Sequence, residues 1–174
     1  GTGPRPAAGT SPPPRRRYLP EGPWGEWLAS ILAGVGLAES VAFTPLGRHA
    51  GREGAVLRPI EWNASLRLER RALVGFSAEG TLALTSERAR VDLIHLPLGE
   101  PQGVAEGMPV LLAAGFLPTG IRLHQREPDE VVFQYVADPR AACEAVSRAR
   151  LDGARARELF EGWTERCART SSTR

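Results

Sequence analysis

Apolar residues recur every three to four positions from Trp24 onward. Trp24, Trp27, Leu28, Ile31, Leu32 and Val35 share one side of a helical wheel. The spacing predicts a helix over Pro23–Val35, begun by Pro23 in its first turn and ended by Gly34 and Gly36. Residues 44–54 read as a loop, broken by Pro45, Gly47, Gly51 and Gly54. The period then shortens to two. Ala55–Trp62 and Ser65–Gly75 read as strands joined by a tight turn at Asn63-Ala64. The second strand carries Leu66, Leu68, Ala72 and Val74 on one face and Arg67, Glu69 and Arg71 on the other. Pro59 inside the first favours a sheet edge or a bulge.

Ala78–Ala89 reads as a helix with Leu82 and Leu84 on its apolar side, and Val91–Leu96 as a short buried strand stopped by Pro97. Pro101–Ala114 reads as a helix with Val104, Met108, Leu111 and Leu112 on one face; Pro109 predicts a late start or a kink, and Gly115 a stop. Phe116–Gln125 and Glu130–Ala137 form a second hairpin through Arg126–Asp129. Two helices close the chain, Pro139–Leu151 and Ala154–Arg169, the latter striped by Leu159, Phe160, Trp163 and Cys167. A helix between the strands near residues 70 and 93 implies a crossover, so those strands are expected to lie side by side and parallel. The expectation is an α/β (α+β) fold, a mixed sheet with helices on both faces.

The 174 residues, 42% of them apolar, suit one domain with a tail. Residues 1–20, rich in Pro, Gly and Arg, read as a disordered tail or linker; 21–138 as the domain; 139–174 as a helical extension packed on it. No apolar run approaches the roughly 20 residues of a membrane span, and the N-terminus lacks the charged-then-apolar order of a signal peptide. A cytoplasmic protein is the default expectation. Net charge is only +2, three positive charges sit in Arg15–Arg17, and there is no Lys. A strong electrostatic footprint for nucleic acid or membrane is therefore not expected, and the Arg triplet reads as solvated linker. Cys143 and Cys167 fall on successive helices; a disulfide is possible but is not required in a reducing compartment. The absence of a Cys/His cluster gives no reason to expect a metal.

Several segments together carry a family resemblance. His95-Leu96-Pro97-Leu98, Leu112-Ala113-Ala114-Gly115-Phe116, Pro118-Thr119-Gly120 and Asp129-Glu130-Val131-Val132-Phe133-Gln134-Tyr135 occur in the order seen in the C-terminal half of GNAT acyltransferase domains. With Tyr18-Leu19-Pro20 leading to Gly36-Leu37, the chain more narrowly resembles a degenerate GNAT-like module of bacterial signalling proteins that follows an ATP-binding domain. The resemblance covers roughly residues 18–137.

It implies an acyl group moved from acetyl-CoA or another acyl-CoA to an amine. The pyrophosphate would sit at the turn after the strand near residue 70, here Val74, Gly75, Ser77 and Gly80, where backbone N–H groups and a helix dipole favour an anion. That turn lacks the family's Arg or Gln, and Glu79 adds a negative charge. Glu69 or Glu61 would be the base. Tyr135 is the candidate acid, because Phe116 stands where the family's Tyr would follow the helix. Simpler structural roles compete: Ser77 as a helix N-cap, Glu69 paired with Arg67 or Arg71, and His95 as a hydrogen-bonded core histidine. His49 and His124 show no partner pattern, and the Arg48–Gly54 stretch reads as a basic surface loop. The alternative to an enzyme is a non-catalytic regulatory or protein-interaction module that kept the fold and lost the loop. A partner protein or second copy would then dock on the Leu159/Phe160/Trp163 stripe, if that stripe is exposed.

Overall fold

The computed structural model describes residues 15–47, 54–77, 91–136, 138–147 and 153–171. Its elements are β1 (Arg17–Pro20), α1 (Pro23–Gly34), β2 (Val41–Thr44), β3 (Gly54–Asn63), β4 (Leu68–Ser77), β5 (Val91–Pro97), α2 (Pro101–Ala113), β6 (Phe116–Arg122), β7 (Glu130–Tyr135), α3 (Pro139–Ser147) and α4 (Ala154–Ser171). β1 and β2 form a parallel pair, and the other five strands make a mixed sheet ordered β3-β4-β5-β7-β6. The β4–β5 step is parallel; the remaining three are antiparallel. The expected mixed α/β architecture and the parallel neighbours are both present. The helix expected over Ala78–Ala89, and with it Gly80 and the loop around residues 48–53, lies outside the described residues.

α1 forms where the apolar spacing places it. Trp24, Trp27, Leu28 and Leu32 are buried. Gly36 takes a left-handed conformation (φ +77°), which lets its N–H reach Ala33 O (3.1 Å) and the Leu37 N–H reach Leu32 O (2.9 Å). These two bonds satisfy carbonyls that the helix end would otherwise leave open.

α2 continues through Pro109. Proline has no N–H, so the carbonyl four residues earlier, Ala105 O, loses its helical partner. The N–H of Gly47, in the segment after β2, donates to that oxygen at 2.9 Å. The helix does not start late: it begins at Pro101 and runs through Pro109, and a neighbouring segment takes up the freed acceptor.

The core lies between the sheet and α1 and α2, built by Leu19, Leu28, Leu32, Ile94, Leu96, Val104, Met108, Leu111, Phe116, Val131 and Phe133. The linker expectation is corrected at Arg17–Pro20 only; residues 1–14 lie outside the described residues. Arg17–Pro20 is a strand, fastened to the β5 exit by Tyr18 N–H donating to Leu98 O at 2.8 Å, and Leu19 is fully buried. The Arg triplet is correspondingly anchored: Arg15 donates to the carbonyls of Gln125, Arg126 and Glu127, and Arg17 pairs with the buried Asp129.

The face assignment in β4 is also corrected. Leu66 and Val74 are 61% and 53% exposed, whereas Arg71 and Leu73 are each 5% exposed. A four-residue turn at 64–67 replaces the tight turn at Asn63-Ala64, and Asn63 Oδ1 accepts the Leu66 N–H at 3.0 Å. Register shifts at Val56/Leu57 and Pro59/Glu61 complete the change, as bulges re-aim alternate side chains. Arg71 is tolerated inside because Asp92 of β5 lies 3.4 Å away; one buried charge meets another.

α4 is clamped by two indoles. Trp27 Nε1 donates to Leu159 O (2.9 Å), and Trp163 Nε1 donates to Pro118 O (2.8 Å). Leu159, Phe160 and Trp163 are half-buried, so the stripe is not the open face that a docking partner would need.

The closest approach between elements is at Gly25 of α1, where a Cβ would lie 1.6 Å from Pro20 O of β1. Helix propensity favours Gly25→Ala by about 1 kcal/mol, but a clash with backbone cannot be relieved by a rotamer change. The substitution should destabilise the chain by about 2 kcal/mol or more, read as a lower urea midpoint with unchanged slope.

Candidate functional site: the split between two parallel strands

β4 and β5 pair from Leu68↔Val91 to Ala72↔His95 and then part, although β4 runs on to Ser77 and β5 to Pro97. Past the last pair opens a cavity of about 430 Å³ lined by Leu73, Val74, Gly75, Leu96, Pro97, Glu100, Gln102, Gly103 and Glu106. α2 wedges into the split. Gly107 is buried there, and a Cβ on it would lie 2.8 Å from Leu96 Cδ1 and 2.9 Å from Leu73 Cδ2.

Beyond Ala72↔His95 the two parallel strands are no longer paired, and the carboxyl ends of such neighbours are where a crevice opens. The crevice wall is apolar at Leu73 and Leu96 and polar where α2 begins. Pro101 opens α2 and has no N–H to offer; the N–H groups of Gln102 and Gly103 belong to the first turn, which has no intrahelical acceptors. Glu100 and Glu106 bring negative charge, and Gln102 Nε2 donates to Glu106 Oε1 at 2.9 Å. Among the described residues lining the cleft none is cationic, and the two carboxylates favour a cation or neutral group over an anion. Gly75 and Gly103 both face open space, where an added Cβ would meet nothing within 4 Å.

Beside the split lies a titratable cluster that the sequence did not reveal. His95, paired with Ala72 at the last bonded position, is fully buried. Its Nδ1 is 2.9 Å from Glu130 Oε2 on β7, and His124 Nε2 is 3.0 Å from the same oxygen. Against an ionised carboxylate both nitrogens must be donors, which leaves the His95 Nε2 lone pair bare in the neutral ring. That atom is buried with no hydrogen-bond partner. Burial pushes the Glu130 carboxyl up, but hydrogen bonds from both histidines, and their charge, outweigh it and hold the group below its ordinary 4.5. Asp129 next to it accepts the His124 N–H (2.6 Å) and pairs with Arg17. Glu130 stands opposite Pro97, a lining residue of the cleft.

Of the residues singled out from the sequence, Val74 and Gly75 line the cleft. Ser77 closes β4, and Gly80 lies outside the described residues. Glu69 sits opposite Asp92, three residues before the split, and Glu61 on β3 is exposed and ion-paired with Arg70 at 3.3 Å. Tyr135 packs its ring against Phe116 (5.6 Å) at the other end of β7. That is about 16 Å along the strand from Glu130. The structure therefore does not gather Glu61, Glu69 and Tyr135 around the cleft. Glu100, Gln102, Gly103 and Glu106 went unnoticed in the sequence, though a helix start just past a parallel strand was the available signal.

A second cavity of about 380 Å³ shares Glu100 and is lined by Arg15, Arg16, Arg17, Tyr18, Leu98, Gly99, Arg126, Pro128 and Asp129. Among the described residues, no group of three or more His, Cys, Asp or Glu side chains is arranged to hold a metal ion, and no helix is long and apolar enough to cross a membrane. Comparison with known proteins finds no family model, no curated protein and no solved structure that matches the chain.

Because Glu130 titrates below its unfolded value, the unfolded chain binds more protons in that interval. The stability Glu130 contributes is full above about pH 4.5 and is lost as pH falls through its folded value. Glu130→Gln should lose that component: its thermal stability should fall less steeply than wild type between about pH 5 and pH 3, measured by scanning calorimetry.

Proposed function

We propose that the chain is a GNAT-like acyltransferase-fold domain whose ligand cleft is the split between β4 and β5. The observation that carries this reading is the parting of two parallel neighbours after Ala72 and His95 around a cavity of about 430 Å³. The family resemblance requires such neighbours, with the turn after β4 at the place where they part.

In the active form of this reading, the acyl-bearing end of an acyl-CoA lies against Leu73 and Leu96. An amine is drawn to Glu100 and Glu106. The amine nitrogen attacks the thioester carbonyl, the C–N bond forms, the C–S bond breaks, and CoA departs as the thiolate. One of the two carboxylates takes the proton that the amine gives up and passes it to the thiolate, so that free CoA is released as the thiol.

A second reading is the non-catalytic regulatory or interaction module. It is favoured by the carboxylates lining the cleft and by the distance of Glu61, Glu69 and Tyr135 from it. The two readings differ in what the cleft accepts.

Calorimetric titration with acetyl-CoA and with free CoA separates them. The enzyme reading expects saturable binding of acetyl-CoA, weakened at least tenfold by Gly103→Leu. A Cβ at this position meets nothing within 4 Å and the rest of the side chain extends from a cleft-lining position, so the variant should keep its melting temperature. No heat and no thermal shift at millimolar ligand would leave only the module.

A further inference from the structure

We infer that the cleft between the N-terminal strand, the β5 exit and the β6–β7 turn is a binding site for a diphosphate group, carried by a nucleotide or free in solution. The cavity measures about 380 Å³, inside the roughly 300–1,000 Å³ of small-molecule sites. Four arginines line it, Arg15, Arg16, Arg17 and Arg126, against two carboxylates, Glu100 and Asp129. That excess of two positive charges equals the net charge of the entire 174-residue chain. A cleft with cationic walls concentrates anions.

Two of the arginines build the walls and two are left over. Arg17 donates to Asp129, whose side chain is fully buried, and to Ser40 Oγ at 2.7 Å, so its charge is neutralised within the fold. Arg15 donates to the carbonyls of Gln125, Arg126 and Glu127; these partners are neutral and leave its charge uncompensated. The same bonds fasten the backbone of the turn that carries Arg126. Tyr18 N–H donates to Leu98 O and Leu98 N–H to Asp129 O, both at 2.8 Å, which ties strand, exit and turn together. Gly99 lets the turn come close: an added Cβ would lie 3.3 Å from Pro128 Cβ. The walls are therefore set before any ligand arrives. The Arg16 and Arg126 side chains are exposed, and neither guanidinium has a partner among the described residues.

Two open guanidiniums suit a diphosphate better than a single anion. Each planar fork donates two parallel N–H bonds to one phosphoryl group, and two such groups joined through an oxygen give each fork its own. Arg15 adds a third positive charge. With Asp129 committed to Arg17, Glu100 is the one carboxylate among the described lining residues that opposes the anion. The cleft between β4 and β5 shares Glu100 but has no arginine among its described lining residues, so the two clefts sort ligands by charge. Gly103 lines only that other cleft. Gly103→Leu should therefore leave diphosphate binding intact, whatever it does to acetyl-CoA.

The test titrates the full chain with inorganic pyrophosphate and with ADP by calorimetry, at an ionic strength held constant with sodium chloride. Pyrophosphate should bind saturably and raise the melting temperature by about 5 °C at about a hundredfold excess over Kd. Arg16→Ala and Arg126→Ala should each weaken it by about tenfold and keep the unliganded melting temperature, since both side chains are exposed. Glu100→Gln should tighten it, an outcome that loss of folding cannot mimic. ADP that competes with pyrophosphate identifies a nucleotide as the carrier; pyrophosphate binding that ADP leaves undisturbed identifies the free ion. No saturable heat from either ligand at millimolar concentration, or an affinity unchanged in both arginine variants, would overturn the site.

Discussion

The close seat of α2 on the parting strands holds this molecule together. Gly107 has no side chain, so Leu73 of β4 and Leu96 of β5 come up against the helix backbone from both sides of the split. The same helix brings Gln102 and Gly103 of its first turn, together with Glu106 and the preceding Glu100, to the lining of the cleft. Core packing and the candidate site are thus one arrangement, and a change that fills Gly107 disturbs both.

Around this apolar wedge the sheet buries more charge than its composition suggests, and it does so in pairs. Arg71 meets Asp92, Arg17 meets Asp129, and Glu130 receives His95 and His124. All but Glu130–His124, six residues apart in one hairpin, join elements distant in sequence and so form only in the folded register. Leaving one partner alone would cost about 3–5 kcal/mol, far more than an exposed pair such as Arg155–Glu158 contributes. The hairpin turn between β6 and β7, the N-terminal strand and the β5 exit are tied at one place by Asp129 and the Arg15 contacts.

Much of the fold was legible because long periodic segments override local ambiguity. α1, both long hairpins and the parallel β4–β5 step follow from apolar spacing and turn residues. What the sequence hid were features set by partners across space. β1 and β2 are four residues each, too short to show a period, and β1 lies in a stretch dominated by Pro and Arg. Arg71 read as an outward residue because nothing in β4 announces Asp92 on another strand. Pro109 read as a late start or a kink because the N–H that satisfies Ala105 O belongs to Gly47. For the site, Val74 and Gly75 were found through the resemblance. Glu130 and the partner of His124 were missed, since three residues drawn from two strands and a turn leave no spacing signature.

β3 is the outer strand beside β4 and leaves Ile60 and Trp62 about half exposed. A straight apolar border of this kind is a template onto which a foreign strand can zip. Pro59 has no N–H to offer such a visitor, and the register shift at Pro59/Glu61 bends the border out of line. The proline that marked this strand as an edge or a bulge thus makes that border a poorer template for a foreign strand.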